Sequence, residues 1–160
     1  IPQSHVDSGG VVVIAVGDNA VRERMWHEVA AWVPIEQLPP LIHPSATVST
    51  YATIGPGSVV LQGVIVGSAA VTGTGCLLNS GSILEHESVM ADFSSLAPGS
   101  VTGGRVTIGR RSAVSIGAVI KHGLTVGPDT VVGAPAMGPR ARPPIRSRSA
   151  HLLESSASVT

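Results

Sequence analysis

A six-residue pattern repeats without interruption from Ile42 to Met137, and it limits the possible folds more than any other feature of the chain. Counted from Ile42, sixteen residues occupy the first position of the repeat, and fourteen of them are large and aliphatic. The fifth position is held mostly by small residues, and glycine recurs at the second. Units this short cannot each bury an apolar face, so they must stack on one another.

The period also predicts the shape of each unit. Six residues fit neither an α-helix nor a β-hairpin, but they fit a short flat strand followed by a corner. The aliphatic residue then points inward, the small residue packs inside near the bend, and Gly, Pro, Asn and Asp form the turn. Aromatic residues make up only 2% of the chain, so the core must consist of aliphatic ladders, which suits a narrow solenoid.

This pattern resembles the left-handed parallel β-helix of hexapeptide-repeat acyltransferases. The resemblance implies three hexads per coil, about five coils in all, and residues 18 apart lying directly above one another. It alone supplies the left-handed sense, since parallel crossovers are otherwise almost always right-handed. We therefore expect an all-β solenoid, a left-handed parallel β-helix, over residues 41–137.

Two flanking segments complete the chain. Residues 1–40 look like a truncated α/β segment, with a strand at 11–16 and a helix at about 20–33. The first ten residues are polar and are expected to be disordered. Residues 138–160 are rich in Arg, Pro and Ser, a composition typical of an extended or disordered tail.

The predicted helix has a start signal and an apolar face. The side chain of Asp18 or Asn19 can accept a hydrogen bond from a free amide of its first turn. The residues expected to form its apolar stripe are Val21, Met25, Val29 and Trp32. We expect the strand and helix to cover one open end of the stack, where unpaired strand edges would otherwise be exposed.

Composition and charge bound the partners and the compartment. Ten basic and ten acidic residues balance, and the basic ones are not massed on the repeat, which argues against nucleic acid. No apolar stretch reaches the length of a membrane span, so no membrane partner is expected. The single cysteine, Cys76, excludes an internal disulfide and fits a cytoplasmic protein. Because Cys76 falls at the inward fifth position, we do not expect it to be a nucleophile.

His86 is the strongest candidate for catalysis. It stands at the third, outward position of its hexad, between Glu85 and Glu87. An imidazole held by a carboxylate suits a general base that removes a proton from an amine or hydroxyl as it attacks an acyl group. The alternative is a solvated surface histidine between two acids, and spacing alone does not decide between the two.

Gly104 follows His86 by 18 residues and is therefore expected one coil above it, next to Gly103. A residue without a side chain leaves room for a thioester, and its N–H can stabilise the oxyanion of a tetrahedral intermediate. The alternative is a turn that simply requires glycine.

Short motifs in a fixed order indicate a narrower family. They are Val12-Val13-Ile14-Ala15-Val16-Gly17-Asp18-Asn19 followed by Arg22, Leu41-Ile42-His43-Pro44-Ser45-Ala46, Leu78-Asn79, Glu85-His86-Glu87, Asp92-Phe93-Ser94, Ala97-Pro98-Gly99, Gly103-Gly104 and Gly133-Ala134-Pro135-Ala136. As a set they resemble the bacterial sugar acetyltransferases, which include sialic acid O-acetyltransferases and bacillosamine-pathway N-acetyltransferases. The resemblance implies a homotrimer that moves an acetyl group from acetyl-CoA to an amino or hydroxyl group of a sugar, expected to be nucleotide-linked, without a metal.

The resemblance also implies roles for single residues. His86 is the general base, Glu87 orients it, and Gly104 lines the acetyl-CoA site. Other positions implied at the cofactor site are Gly103, Ser95, Gly117, Ala118 and Pro135. Those implied near the sugar are Asp18, Asn19 and Asn79, although Asp18 and Asn19 fit a helix cap equally well.

Three departures from the family pattern bear on these roles. Ser95 stands where the family has a second histidine, which affects acceptor choice or catalytic strength. Only the Gly17-Asp18-Asn19 turn is found in place of the glycine-rich turn of the family's N-terminal half. Met137 replaces a basic residue, for which Arg140 or Arg142 can substitute at a CoA phosphate.

Two other classes of function remain open. A non-catalytic trimeric assembly or regulatory subunit would have the same solenoid but would not bind CoA. A metal-dependent hydratase is the other, because γ-class carbonic anhydrases share the solenoid and bind zinc through histidines spaced like His86 and His122. Their third histidine falls at Gly127 here, and two ligands do not complete a catalytic zinc site.

Overall fold

The computed structural model describes residues 3–133. It begins with helix α1 (Gln3–Asp7), helix α2 (Asn19–Ala30) and a short 3₁₀ helix (Ile35–Gln37). Sixteen strands of two residues each follow at six-residue intervals. They are β1 (Leu41–Ile42), β2 (Thr47–Val48), β3 (Thr53–Ile54), β4 (Val59–Val60), β5 (Ile65–Val66), β6 (Val71–Thr72), β7 (Leu77–Leu78), β8 (Ile83–Leu84), β9 (Val89–Met90), β10 (Ser95–Leu96), β11 (Val101–Thr102), β12 (Thr107–Ile108), β13 (Ala113–Val114), β14 (Val119–Ile120), β15 (Thr125–Val126) and β16 (Val131–Val132).

The strands form three parallel sheets, which are the faces of a prism. Sheet A has the order β1-β4-β7-β10-β13-β16, sheet B the order β14-β11-β8-β5-β2, and sheet C the order β15-β12-β9-β6-β3. Each pairing joins residues 18 apart, such as Ile83 with Val101 in sheet B. Three hexads therefore make one coil, and about five coils match the left-handed β-helix of acetyltransferases, which confirms the predicted solenoid.

The interior of the prism is a column of first- and fifth-position side chains, as the periodicity predicts. Leu78, Leu96 and the fifth-position Cys76 are fully buried. Burial raises the pKa of the Cys76 thiol, so the thiolate is disfavoured. Serine hydroxyls at the fifth position link neighbouring coils: Ser58 Oγ donates to the carbonyl of Gly73 at 2.9 Å and accepts from the Cys76 amide at 3.0 Å.

Three columns of turns join the sheets, and we name them by a feature of each. The His86 corner leads from sheet B to sheet C and comprises residues 49–52, 67–70, 85–88, 103–106 and 121–124. The helix corner leads from sheet C to sheet A and comprises residues 55–58, 73–76, 91–94, 109–112 and 127–130. The Asn79 corner leads from sheet A to sheet B and comprises residues 43–46, 61–64, 79–82, 97–100 and 115–118.

The fourth residue of every hexad from Gly57 to Asp129 has a positive φ. Glycine holds just over half of these positions because it adopts the left-handed conformation without a steric penalty. The others are Ala69, Glu87, Phe93, Arg105, Arg111 and Asp129, with φ between 53° and 57°. A long side chain kept in such a turn indicates that the side chain itself has a role.

The N-terminal segment differs from its prediction. No strand forms at residues 11–16; the segment is extended, and the Val12 amide donates to the Gln37 carbonyl at 2.8 Å. Val12 and Ile14 are buried in an apolar cluster with Trp26, Leu38 and Phe93, whereas Val11 is exposed. The segment forms no ladder because no strand among the described residues pairs with it. Residues 3–7 are not disordered either, since they form α1 and Val6 is buried.

Helix α2 lies along the helix corner. We expected it to cover an open end of the stack, and that prediction is wrong. The fully buried residues of α2 are Arg22, Glu23 and Trp26. Met25 and Val29 of the predicted apolar stripe are partly buried against the cluster that contains Trp26, whereas Trp32 lies beyond the helix and is exposed. The physical reason for this buried face is the surface that the helix meets, which presents backbone carbonyls and the turn at Gly57. Trp26 packs on Gly57, where a Cβ would lie 2.8 Å from Trp26 Cε3, and its ring centroid is 6.4 Å from that of Phe93.

Arg22 fastens α2 to the solenoid. Its Nε donates to the Gly75 carbonyl at 2.7 Å, Nη2 donates to the Phe93 carbonyl at 2.9 Å, and Nη1 donates to the carbonyls of Val16 and Gly17, each at 3.0 Å. Burial lowers the pKa of Arg22, but the guanidinium keeps its charge and each donor group is satisfied. Arg22 thus joins α2 to two coils of the solenoid and to the turn that precedes the helix.

Some predictions fall beyond the described residues. Pro135, Met137 and the predicted tail at 138–160 lie outside them. Among the helices of residues 3–133, none combines the length and the apolar character needed to cross a membrane.

Candidate active site

Three successive coils place nine residues in a three-by-three array at the His86 corner. Each row belongs to one coil, and the residues of a column are 18 apart. From the lower to the upper coil, the rows are Glu85, His86 and Glu87; Gly103, Gly104 and Arg105; and Lys121, His122 and Gly123. We refer to these residues as the His86 array.

The lower row fixes the imidazole of His86. Its Nδ1 lies 3.1 Å from Glu87 Oε2, and Glu85 Oε2 accepts from the His86 amide at 3.2 Å. An ionised carboxylate only accepts hydrogen bonds, so Nδ1 carries the proton, and in the neutral imidazole Nε2 has the lone pair. The His86 side chain is 47% exposed, which leaves Nε2 accessible to a ligand.

Arg105 holds Glu87 from the coil above. Its Nε donates to Glu87 Oε2 at 3.0 Å, the same oxygen that accepts from His86. These hydrogen bonds, the one from Arg105 first, hold the pKa of Glu87 below its ordinary value, so the carboxylate is ionised at neutral pH. Arg105 was not among the predicted site residues, although its spacing of 18 from Glu87 is a signal that identifies it.

Glu87 and Arg105 also share an unusual backbone conformation. Both occupy the left-handed fourth position, with φ of 56° and 57°. Such a conformation costs a non-glycine residue about 1–3 kcal/mol. Two adjacent coils thus keep a long charged side chain where glycine is the easier choice, and the two side chains pair with each other beside His86. This cost supports a functional role for the array.

Gly104 lies directly over the imidazole, as the stacking arithmetic predicts. A Cβ on Gly104 would lie 2.5 Å from Cε1 of His86 and would also collide with Nε2. Gly104 is not among the described residues with positive φ, so the turn itself does not require glycine. Space for the His86 ring and for whatever approaches it explains the residue better than turn geometry does.

Gly104 is a buried residue beside the His86 ring, and its backbone amide stands at the third position of its hexad. Third-position amides have no acceptor in the ladder between coils, and those of Ser80 and His86 are satisfied by the side chains of Asn79 and Glu85. No residue within 3–133 accepts a hydrogen bond from the Gly104 amide. An unpaired N–H beside an unprotonated imidazole nitrogen is suited to a developing oxyanion.

The Asn79 corner holds three of the other predicted residues. Ala118 is a core residue whose side chain is 2% exposed, so its methyl group cannot contact a cofactor. Asn79 Oδ1 accepts from the amide of Ser80 at 2.9 Å and so closes its own turn. Gly117 occupies the left-handed position of its turn. Sheet B separates this corner from the His86 array within one chain.

A cleft of about 300 Å³ at the helix corner brings together Asp18, Asn19 and Ser95, with Arg111 and Asp129 in its wall. Ser95, predicted at the cofactor site, therefore lies beside the residues predicted to meet the sugar. Sheet C lies between the helix corner and the His86 corner. A single chain thus presents two separate candidate surfaces.

Asp18 and Asn19 both have structural partners in this cleft. Asp18 Oδ1 accepts from the Val21 amide at 2.9 Å, which confirms the predicted helix cap. Asn19 Nδ2 donates to the Arg111 carbonyl at 2.9 Å, and Asn19 Oδ1 accepts from Arg22 Nη2 at 2.7 Å. Contact of these two residues with a sugar stays a prediction.

Ion pairs fix the wall of the cleft. Arg111 donates to both oxygens of Asp129, at 2.7 and 2.8 Å, and to the buried Glu23 at 3.1 Å, and Arg110 also donates to Glu23. The hydrogen bonds that Arg111 donates to Asp129 lower the pKa of Asp129 and raise the pKa of Arg111. The network ties α2 to the upper coils.

The described residues give no support to the hydratase alternative. The rings of His86 and His122 do approach each other, but Gly127 lies at the helix corner, along a different edge of the prism. Within residues 3–133, no group of three or more His, Cys, Asp or Glu side chains is arranged to hold a metal ion.

Solved structures with this architecture include sugar N-acetyltransferases. PerB from Caulobacter crescentus, in complex with CoA and GDP-perosamine, matches with a TM-score of 0.75 and 30% identity over 82% of this chain and 63% of that one. The acetyltransferase domain of PglB from Neisseria gonorrhoeae matches with a TM-score of 0.62 and 30% identity over 78% and 62%. WeeI from Acinetobacter baumannii, with a TM-score of 0.52 and 20% identity over 77% and 68%, shows the fold alone. No family model and no curated protein matches the sequence.

These matches define the class of the fold, which is the β-helix of hexapeptide-repeat acyltransferases. Within that class the chain resembles sugar N-acetyltransferases that use CoA, as the sequence motifs indicate. The chain spans 63% of the length of PerB and 62% of that of the PglB domain.

Proposed function

We propose that this protein transfers the acetyl group of acetyl-CoA to an amino or hydroxyl group of a nucleotide-linked sugar. The observation that carries the proposal is the hydrogen-bonded series from Arg105 through Glu87 to His86, which leaves an unprotonated imidazole nitrogen beside Gly104. Further support comes from PerB, which binds CoA and GDP-perosamine, and from the PglB domain in complex with acetyl coenzyme A.

The geometry supports direct transfer. His86 Nε2 takes the proton of the attacking amine or hydroxyl as that atom bonds to the acetyl carbon. The Gly104 amide donates to the oxyanion, and Glu87 stabilises the imidazolium that forms. Arg105 keeps Glu87 in place and ionised. No covalent enzyme intermediate is needed, because the thioester of acetyl-CoA is already an activated acyl donor.

A homotrimer would complete the site in this proposal. Within one chain, sheet C separates the His86 array from the cleft that contains Asp18, Asn19 and Ser95. A neighbouring solenoid would bring its cleft to the array of the first, with the nucleotide-linked sugar in the cleft and acetyl-CoA near Gly103, Gly104 and Gly117. Exposed Ile65 and Val119 on sheet B provide apolar surface for packing between solenoids.

The proposed compartment is the cytoplasm. Cys76 is the only cysteine and is buried as a free thiol, so this chain forms no internal disulfide. The absence of a disulfide is typical of proteins in a reducing compartment, where acetyl-CoA and nucleotide sugars are also available.

The test is CoA release with a panel of nucleotide amino sugars and sialic acids. We expect His86→Asn to lower turnover by about 100-fold or more, the contribution of a positioned general base. The matched control is His43→Asn at the Asn79 corner, where an Asn oxygen can replace the His43 Nδ1 that accepts from the Ser45 amide. Near-full turnover in His86→Asn would eliminate the assignment.

Two further measurements separate the proposal from a non-catalytic subunit. Calorimetric titration should detect acetyl-CoA binding, and light scattering should give the mass of a trimer. A stable trimer that binds no acetyl-CoA would favour the assembly or regulatory role instead.

A further inference from the structure

The ring of His122 leans toward that of His86 across Gly104. The two residues are two coils apart, a rise of about 9.6 Å if both side chains pointed straight outward. Their ring centroids are nevertheless only 6.2 Å apart, with planes tilted by 45°. The two imidazoles therefore bracket the middle coil at Gly104.

Two glycines make this approach possible. A Cβ on Gly103 would lie 2.6 Å from the His122 amide nitrogen and 3.2 Å from the His122 Cβ. A Cβ on Gly104 would collide with the His86 ring. Gly103 and Gly104 therefore place no side chain between the two imidazoles, and we call the gap between the rings the slot.

Nothing in the described chain gives His122 a structural role. Its side chain is exposed, and within residues 3–133 no group hydrogen-bonds to its ring. The charged groups that face the slot are Glu85 and Glu87 from below, Arg105 from the middle coil and Lys121 beside His122. A ring that neither packs in the core nor closes a turn, but points toward the candidate base, is placed to meet a ligand.

We propose that His122 is the general acid of the acetyl transfer; this inference rests on the proposed function. In acetyl transfer the attacking atom and the departing sulfur are bonded to the same carbon. A base and an acid must therefore stand on two sides of one tetrahedral centre, each within about 3 Å of its partner atom. The slot has this arrangement, with His86 on one side and His122 on the other.

The step balances as follows for an amine acceptor. The nitrogen forms a bond to the acetyl carbon while His86 Nε2 accepts one N–H proton. The carbon–sulfur bond breaks, its electron pair stays on sulfur, and the imidazolium of His122 donates a proton to it. The products are the N-acetyl sugar and the CoA thiol. His86 gains one proton and His122 loses one, and exchange with solvent restores both rings.

The test compares wild type with His122→Asn in the full chain, with acetyl-CoA and an acceptor found active above. We expect kcat to fall by about 100-fold, with acetyl-CoA affinity by calorimetry within threefold of wild type. The wild-type profile of kcat against pH should fall on the alkaline side, as the acid loses its proton, and the variant should lose that alkaline limb. His86→Asn should instead lose the acidic limb.

A second donor distinguishes chemistry from structure. S-(4-nitrophenyl) thioacetate releases a thiolate that leaves without protonation, so His122→Asn should lower its kcat/KM much less than that of acetyl-CoA, whereas His86→Asn should lower both. If His122→Asn does not fold, His122→Gln replaces it. A kcat within twofold of wild type, or a loss with the alkaline limb intact, overturns the inference. Wild type that releases no CoA with any acceptor overturns the proposed function first, and this inference with it.

Discussion

Arg105 lies one coil above Glu87, and its Nε donates to the same carboxylate oxygen that accepts from His86. The base, its orienting acid and the guanidinium that holds this acid thus come from two coils and from two of the three columns of the array. The 18-residue register makes this arrangement a direct consequence of the backbone.

Arg105→Met should raise the pKa of Glu87 toward its ordinary value, because the hydrogen bond from Arg105 is the largest cause of its lowering. Because the pKa of Glu87 is lowered in the folded protein, its ionised carboxylate stabilises the fold at pH values above the ordinary carboxyl pKa. This stabilisation is lost as the pH falls through the lowered pKa. In the variant that loss starts at a higher pH. Carboxyl carbon NMR of Glu87 measures the shift. Activity at neutral pH should also fall, but by less than the loss of about 100-fold expected when the base His86 is replaced.

The matched control for this prediction is Arg24→Met, which removes an exposed arginine paired with Glu28 on α2. It should leave the Glu87 titration unchanged. An Arg105→Met protein in which Glu87 titrates as in wild type would show that the ion pair does not persist in solution.

Gly104→Ala should reduce acetyl transfer by about 100-fold, because the new methyl group displaces the His86 ring from its position beside Glu87. The change in unfolding free energy should stay below about 1 kcal/mol, since Gly104 has no positive φ and the displaced ring is exposed. Steady-state kinetics and denaturant unfolding give the two values.

Gly127→Ala is the comparison, because a Cβ there meets only Thr130 Oγ1, at 3.7 Å. Equal losses of activity in the two variants would mean that the effect does not come from His86.

Arg22→Leu should destabilise the protein by about 3 kcal/mol, because four backbone carbonyls and the side-chain oxygen of Asn19 lose a hydrogen-bond donor. Hydrogen exchange should show early opening of α2 while the solenoid stays protected. Arg24→Leu, on the exposed side of the same helix, should change stability by less than about 0.5 kcal/mol. Uniform loss of protection throughout the solenoid would contradict this division.

Two fifth-position serines should respond in opposite ways to truncation. Ser58 Oγ donates to the Gly73 carbonyl and accepts from the Cys76 amide, both in the next coil. Ser58→Ala should therefore lower the free energy of unfolding by about 1–3 kcal/mol. Ser82 Oγ is buried without a hydrogen-bond partner among the described residues, so Ser82→Ala should be neutral or stabilising. Thermal unfolding of both variants provides the comparison, and a large loss in Ser82→Ala would reveal a partner of that hydroxyl.

The solenoid could be predicted because its cause is local and repeated. Each hexad states the same burial pattern, so the inward positions of Leu78 and Cys76 follow from counting. The same counting placed Gly104 over His86, and carried one step further it reaches Arg105 from Glu87. The residues of the candidate site at the His86 corner can therefore be found from their spacing in the sequence.

The N-terminal segment could not be read in the same way, because its conformation depends on the surface that it meets. The buried face of α2 is set by carbonyls at Gly75 and Phe93, which attract Arg22 and which no periodicity in the helix encodes. The position of Ser95 in a cleft follows from where α2 lies, and so it was equally hidden.

A prism of stacked coils also separates what can vary from what cannot. A residue in one corner touches the coils above and below it, but the two other corners lie across a filled interior. Substitutions along the His86 column can therefore alter the chemistry while the contacts between the helix corner and the N-terminal segment stay unchanged. An architecture of this kind allows new specificities to be acquired one edge at a time.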